Sequence, residues 1–563
     1  MKSRISFFNG GVFRKNITRF APAWVLYAVL TLLLMLAMGG GDGVRFAAGL
    51  ADMTHMTAFF ALVWAFLNVQ LLFGDLFSSR ICNALHAMPF RRETWFFTNA
   101  LTGLAFWAVP NAVFTLIFLL ISGGVWQAPL LWFAAGLGQY LFFFGIAVLS
   151  AYCVGRRFAM ALVYAILNFL SLILYWLVYN LYEPLLYGIK IPEDIFLTLC
   201  PAVQLIGNDY FQIDYTHLYD KAVFRELALG TGWGYLGICA LIGLGALALA
   251  LVLYRRRKLE CAGDFMAVRR LSPVFLILYT FSVVVLCHTF YTLFWGVENY
   301  VFMALGLIIG FFTGLMLLQR TVRVFRKKTF LAFGVLAAVF SLTLVLTALD
   351  PLGVTRWVPE ADQVKNVRIS TGSGYYEIGE CPELEQAENI EKILGIHETC
   401  LEKRGALPGT EPVYMEITLR YELKNGLTRQ RNYEVYLQQT ELTPLRELLT
   451  LPEVVLGSLY TNPDAQTLVR MDLDGENLFW TEESEMDSLL EAVVMDCEAG
   501  NMAQDWAFTR NARYIGWITV EARLPNGIYH SREVRFHDGC TNILAWLEET
   551  AGWKPEHSDK YGY

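Results

Sequence analysis

Over the first 350 residues of this chain, apolar positions neither alternate nor form a stripe every three to four residues; they come in solid blocks of about twenty. Blocks of that length suit helices crossing a hydrocarbon layer about 30 Å thick. We place nine of them, near residues 21–40, 56–74, 101–121, 130–153, 158–180, 233–254, 274–295, 300–318 and 330–349. Charge almost never interrupts them, and nine such blocks in 350 residues are too many for buried core helices of a soluble protein. The first block is expected to be a span rather than a cleaved signal peptide. Its basic flank from Lys2 to Arg19 is long, and its apolar run ends in Met38, Gly39, Gly40 and Gly41 without an Ala-x-Ala-like site.

Beyond Pro351 the pattern becomes that of a water-soluble domain. Val364 to Ser370 reads as a strand, and Glu388 to Arg404 as a helix with Ile390, Ile393, Leu394, Ile396, His397 and Leu401 on one face. Tyr414 to Tyr436 reads as a hairpin with a type I′ corner at Asn425-Gly426, and Ile518 to Phe536 as a second with Asn526-Gly527 at its corner. Superposing Gly527 on Gly426 aligns Ile518-Thr519 with Ile417-Thr418, and a short helix is expected after each hairpin. Two related lobes and a chance likeness of two common turns both fit this pattern. The expected architecture is a polytopic all-α membrane domain of about nine transmembrane helices over residues 1–349, followed by a soluble α+β domain over 350–563.

Charge sharpens the division. Residues 1–349 carry 25 Lys/Arg against 14 Asp/Glu, whereas residues 350–563 carry 19 against 37, a net of −18. The formal total of −7 thus averages two unlike objects. A cytosolic enzyme, a nucleic-acid-binding protein and a disordered chain are excluded as descriptions of the whole. Of the basic residues around the spans, 21 fall before the first helix and after the second, fourth, sixth and eighth, and four fall in the alternate connections. By the positive-inside rule, the N-terminus is expected in the cytoplasm and the C-terminal domain outside a cell membrane crossed many times. The one long connection on the outer side, Leu181 to Thr231, is expected to be a partly helical cap broken at Pro184, Pro192 and Pro201.

Candidate chemistry is sparse. His288 is the one clear ionisable group within a span, and it reads as bonded to a neighbouring helix rather than as part of a proton relay. No Gly-x-x-x-x-Gly-Lys-Ser/Thr is present, and Ser122-Gly123-Gly124 and Gly372-Ser373-Gly374 lack a phosphate-cradle context. Cys381, Cys400, Cys497 and Cys540 leave two disulfides and free buried thiols equally open. His397-x-x-Cys400 is half a metal pattern, and the acidic run Glu482, Glu483, Glu485 and Asp487 reads as a solvated surface. No catalytic, cofactor or metal site is expected in this chain.

After the second span, Leu76, Phe77, Ile81, Leu85 and Met88 recur at helical spacing, so this segment reads as a short amphipathic helix ended by Pro89. Four segments, Ser6 to Phe20, His86 to Thr94, Tyr254 to Gly263 and Leu318 to Lys328, resemble ABC-2-type transporter permeases of Firmicutes, in an uncharacterised branch with a large C-terminal extracytoplasmic domain. The likeness covers roughly residues 1–350; the extra helices and the outer domain depart from a plain six-span permease. It implies a membrane subunit that does not hydrolyse ATP itself and is served by a separate ATPase, with Arg80, His86, Pro89, Arg91, Arg92 and Glu93 at the contact. Export or handling of a lipid, peptide or antimicrobial compound is the activity implied. Expected partners are the ATPase subunit, membrane lipids, and a second copy or another permease subunit, with no nucleic acid. The other reading is a non-transporting sensor or scaffold whose outer domain recognises a ligand.

Overall fold

The computed structural model describes residues 7–38, 43–86, 91–218, 221–257, 261–295, 300–372, 383–404, 413–438, 440–449, 451, 454, 466–473, 476–480, 483–502, 514–523 and 529–553. The chain divides into two units, Met1–Asn180 with Pro192–Ser341, and Leu181–Ile191 with Leu342–Tyr563.

The first unit is helical. Helix α1 (Gly10–Arg19) begins at Asn9, whose Oδ1 accepts the Val12 N–H at 3.0 Å, and α2 (Ala21–Met38) follows after a 62° bend. Then come α3 (Val44–Leu72), the short α4 (Ser79–His86), α5 (Arg92–Ile121), α6 (Gln127–Cys153) and α7 (Arg157–Tyr182), the last kinked at Phe169. Helices α8 (Glu193–Thr198) and α9 (Pro201–Gly207) precede α10 (Gly232–Arg256), α11 (Ser272–Trp295), α12 (Tyr300–Gln319) and α13 (Lys327–Leu349). Among the described residues, eight helices are long and apolar enough to cross a membrane, nine if α1 and α2 form one bent span. This is a multi-pass membrane architecture. Helices α3 and α5 begin twelve and nine residues before the spans placed near 56 and 101, because their starting segments carry Arg45 and Asp52, and Arg92 and Glu93. Apolar blocks mark only the part of a helix that lipid can cover.

Helix α6 is the centre of this unit, with 67% of its apolar window buried against 6% for α13. Small residues allow the closest approaches. Gly145 of α6 and Gly243 of α10 meet backbone to backbone, and Gly306, Gly310 and Gly314 lay one edge of α12 against Val284, Thr280 and Leu276 of α11. The connection after α7 is partly helical, as expected, with α8 starting after Pro192 and α9 at Pro201. Besides α8 and α9 it contains an antiparallel hairpin, β1 (Phe211–Leu218) with β2 (Lys221–Leu229), whose alternation is interrupted by a register shift at Asp214/Tyr215.

The second unit is α+β, and its described residues build two sheets. In the first lobe β3 (Val364–Gly372), α14 (Ala387–Glu402), β4 (Val413–Leu423), β5 (Thr428–Leu437) and α15 (Thr443–Leu449) give an antiparallel sheet ordered β3-β4-β5. Val367, Ile369, Ile417 and Leu419 belong to the same buried core as Ile390, Ile393 and Ile396 of α14. In the second lobe β6 (Gln466–Leu473), β7 (Glu476–Trp480), α16 (Glu483–Glu498), β8 (Tyr514–Arg523), β9 (Tyr529–His537) and α17 (Thr541–Ala551) form a sheet ordered β7-β6-β8-β9. The registers correspond. Ile417 pairs with Tyr433 and Ile518 with Val534, while Ile369 pairs with Leu419 and Val469 with Val520. The order strand, helix, hairpin, helix thus occurs twice, with β7 added to the second copy.

The first hairpin does not turn through a type I′ corner. Leu423 N–H donates to the Leu427 carbonyl at 2.9 Å and Gly426 N–H to the Leu423 carbonyl at 2.8 Å, leaving a three-residue loop. Only Gly426 (φ 81°) is left-handed there, since the described non-glycine residues with positive φ are Arg320 and Asp350. Asn425 instead accepts the Leu427 N–H through Oδ1 at 2.9 Å, a local bond that favours the longer loop. Asn526-Gly527 lies outside the described residues.

Candidate functional site: a basic edge and a buried polar seam

The basic edge of the first unit is built where helices end, because the last carbonyls of a helix have no partner within it. Arg92, in the first turn of α5, donates to the carbonyls of Tyr254 at 3.2 Å and Arg257 at 2.9 Å, at the end of α10, with its guanidinium 5.8 Å from the Tyr254 ring centroid. Glu93 pairs with Arg255 at 3.1 Å. Two of the six residues expected at a partner contact therefore knit α5 to α10. Arg80 on α4 and Arg91 are exposed, and the His86 side chain and Pro89 lie outside the described residues. On α4, Ile81 is exposed and Cys82 buried, with burial raising the Cys82 thiol pKa.

Arg257 is the residue that sequence reasoning missed. Its guanidinium turns inward, donating to Ala151 and Tyr152 carbonyls at 3.2 and 3.3 Å at the end of α6 and to the Leu76 carbonyl at 3.2 Å. Burial lowers its pKa. It sits in the run Arg255-Arg256-Arg257-Lys258, and nothing in such a run says which member faces in. Arg156, donating to the Gly263 carbonyl at 2.8 Å, and Arg320, paired with Asp264 at 2.7 Å, tie down the neighbouring loops.

Between α3, α5 and α6 runs a seam of buried amides, hydroxyls and indoles. From the basic edge, Asn16 Nδ2 donates to Asn99 Oδ1 at 2.9 Å, and Asn99 Nδ2 to the Leu72 carbonyl at 3.1 Å. Next, Asn68 Nδ2 donates to the Tyr140 hydroxyl at 2.8 Å, which donates to the Gly103 carbonyl at 2.8 Å. Further along, Asn111 Nδ2 reaches the Tyr27 hydroxyl at 2.9 Å and the Trp107 carbonyl at 2.7 Å. Trp132 Nε1 then donates to Thr57 Oγ1 at 3.0 Å, and Gln139 Nε2, at mid-length in α6, to the Leu205 carbonyl of α9 at 3.2 Å. The signal was legible in α5, where Asn99, Gly103, Trp107, Asn111 and Thr115 recur every fourth residue; a search for ionisable groups passed over it. His288, within α11, meets Asn180 of α7 through Nε2 at 2.8 Å.

In the second unit His397 is buried, with both ring nitrogens on tyrosine hydroxyls, Tyr421 at 3.0 Å and Tyr433 at 2.7 Å. Burial lowers its pKa to about 4, helped by the Arg431 charge. The segment after α7 is bound beside it. Tyr187 donates to the Cys400 carbonyl at 2.8 Å, and Asn432 N–H to the Gly188 carbonyl at 3.1 Å on the edge strand β5. Cys400, Cys497 and Cys540 are buried free thiols; Cys381, Ser373-Gly374 and Glu482 lie outside the described residues, as do the side chains of Glu483, Glu485 and Asp487. A cavity of about 380 Å³ opens between α14 and α15, lined by Lys392, Ile396, Thr399, Leu437, Glu441 and Glu447.

Groups of three or more metal-binding side chains are absent among the described residues. No protein-family model, curated protein or solved structure matches this chain.

Proposed function

We propose that this chain is the membrane-spanning permease subunit of an ABC-type transporter, driven by a separate ATPase and exporting or handling a lipid, peptide or antimicrobial compound. The observation that carries this reading is the seam of buried polar groups between α3, α5 and α6, which follows the helices from the basic edge toward their opposite ends. Buried polar groups in lipid are costly and persist where helices must be glued together or where a polar cargo passes. A seam that runs from Asn99 to Asn111 along α5 suits passage as well as glue. In this reading the basic edge is cytoplasmic, as the 21 to 4 distribution of Lys and Arg favours. The exposed Arg80 and Arg91 flank the ATPase contact, while Arg92 and Glu93 hold its scaffold.

Affinity purification of the full chain from its native membrane tests the proposal. An ATPase subunit should co-purify, and Arg80→Glu with Arg91→Glu should reduce its recovery, since charges at a contact rim govern association. Wild-type chain recovered without any ATPase would reject the reading.

The sensor reading draws on a separate observation, the cavity between α14 and α15, whose volume suits a small ligand. It gains ground if the outer unit binds a ligand in a chain that moves no cargo.

A further inference from the structure

At mid-depth the seam closes into a ring of contacts. Trp64 stacks on Tyr27 at 4.6 Å, the Tyr27 hydroxyl accepts from Asn111, Trp107 lies one turn from Asn111 and stacks on Tyr140 at 5.3 Å, and the Tyr140 hydroxyl accepts from Asn68, one turn from Trp64. All six side chains are at least nine-tenths buried. Around this ring four polar atoms have no hydrogen-bond partner among the described residues: the indole N–H groups of Trp64 and Trp107 and the Oδ1 atoms of Asn68 and Asn111.

The amide orientations are dictated by chemistry. The Tyr140 hydroxyl spends its proton on the Gly103 carbonyl, so Asn68 must present its NH₂ to that oxygen, and Asn111 must present its NH₂ to the Trp107 carbonyl. Both carbonyl oxygens are thereby left as acceptors. Two donors and two acceptors are thus unmatched in the buried interior of the bundle, where water does not offset an unmade hydrogen bond.

We propose that this ring is a binding site, within the membrane, for an uncharged group that both accepts and donates, such as the amide of a peptide-like amphiphile. The indoles donate to its carbonyl oxygen, the asparagines accept from its N–H, and the aromatic faces cover its apolar flanks. Ionised cargo is disfavoured. Helices α2 and α6 carry no charged residue, α3 carries Arg45, Asp52 and His55 only within its first twelve residues, and α5 carries Arg92 and Glu93 only at its start. The assignment rests on the permease reading and names the class of substrate for that seam.

The full chain reconstituted in nanodiscs and titrated with N-acetyl-Leu-Phe-amide provides the test, read as thermal unfolding. The melting temperature should rise with peptide concentration in the wild type. Trp64→Phe with Trp107→Phe keeps the rings and removes both donors; it should weaken apparent affinity at least tenfold, and each single variant should weaken it in part. Zwitterionic Leu-Phe should give no shift. A wild type unmoved by the amide, as expected if the four atoms hold only water, would overturn the site, and so would an undiminished shift in the double variant. None of these readings depends on an ATPase, so failure of the site is distinct from failure of co-purification.

Discussion

A buried imidazole that bonds two tyrosines in its neutral form makes the first lobe sensitive to acid. His397 has a folded pKa of about 4, below the ordinary value of 6.5, so the unfolded chain takes up a proton first as pH falls. Its contribution is fully present above pH 6.5 and is lost progressively down to about pH 4, by up to about 3 kcal/mol. The melting temperature of the second unit in the full chain should fall across that window, and His397→Gln should flatten the dependence. At the basic edge neighbouring arginines should behave differently. Arg92→Glu sets a carboxylate against the carbonyls of Tyr254 and Arg257 and should reduce folded yield and thermal stability, whereas Arg91→Glu should leave both unchanged. Equal losses for the two would contradict the geometry. Charge patterning gave a side of the membrane to both arginines and a role to neither, because direction of approach is set by the neighbouring helix end.

Among the helices, close approach depends on glycine. A Cβ at Gly310 would lie 2.8 Å from the Thr280 carbonyl oxygen, so Gly310→Leu should force α11 and α12 apart and destabilise the unit by more than the about 1–3 kcal/mol typical of overpacking. Gly237→Leu, at a position with open space around it, should be tolerated. Thermal unfolding in detergent of both variants distinguishes the two. Element existence was legible wherever one segment's own solvent preference decided it, as for the spans, for α14 and for the β4–β5 hairpin. Where an element depends on partners it was not: β1 and β2 follow three prolines, and the β4–β5 corner was misread because a local Asn425 bond favours a longer loop. The sequence singled out a segment, Arg80 to Glu93, as a candidate contact, but it did not distinguish the exposed members from those bonded to α10.

For the whole molecule, the decisive measurement is sidedness. A Lys424→Cys variant, placed in the exposed β4–β5 loop, should react with a membrane-impermeant maleimide in intact cells, while Arg91→Cys should react only after permeabilisation. The reverse pattern would invert the topology and rule out the proposed ATPase contact. Residues 350–563 carry a net charge of −18, so a cationic peptide drawn to the second unit should bind more weakly as salt rises.

The apolar blocks, the basic bias and the change of pattern after Pro351 are properties of single segments, each partitioning between water and lipid on its own account; the sequence therefore determined by itself that the chain crosses a membrane repeatedly and ends in an α+β unit. Tertiary structure decided the rest. Arg257 and Arg256 are indistinguishable in the chain until α6 offers its last carbonyls to one of them. Asn68 and Tyr140 are 72 residues apart, and their hydrogen bond exists only because α3 and α6 pack together. The unmatched donors and acceptors beside them follow from that packing, since a polar atom becomes an orphan only when a particular neighbour has shut out water.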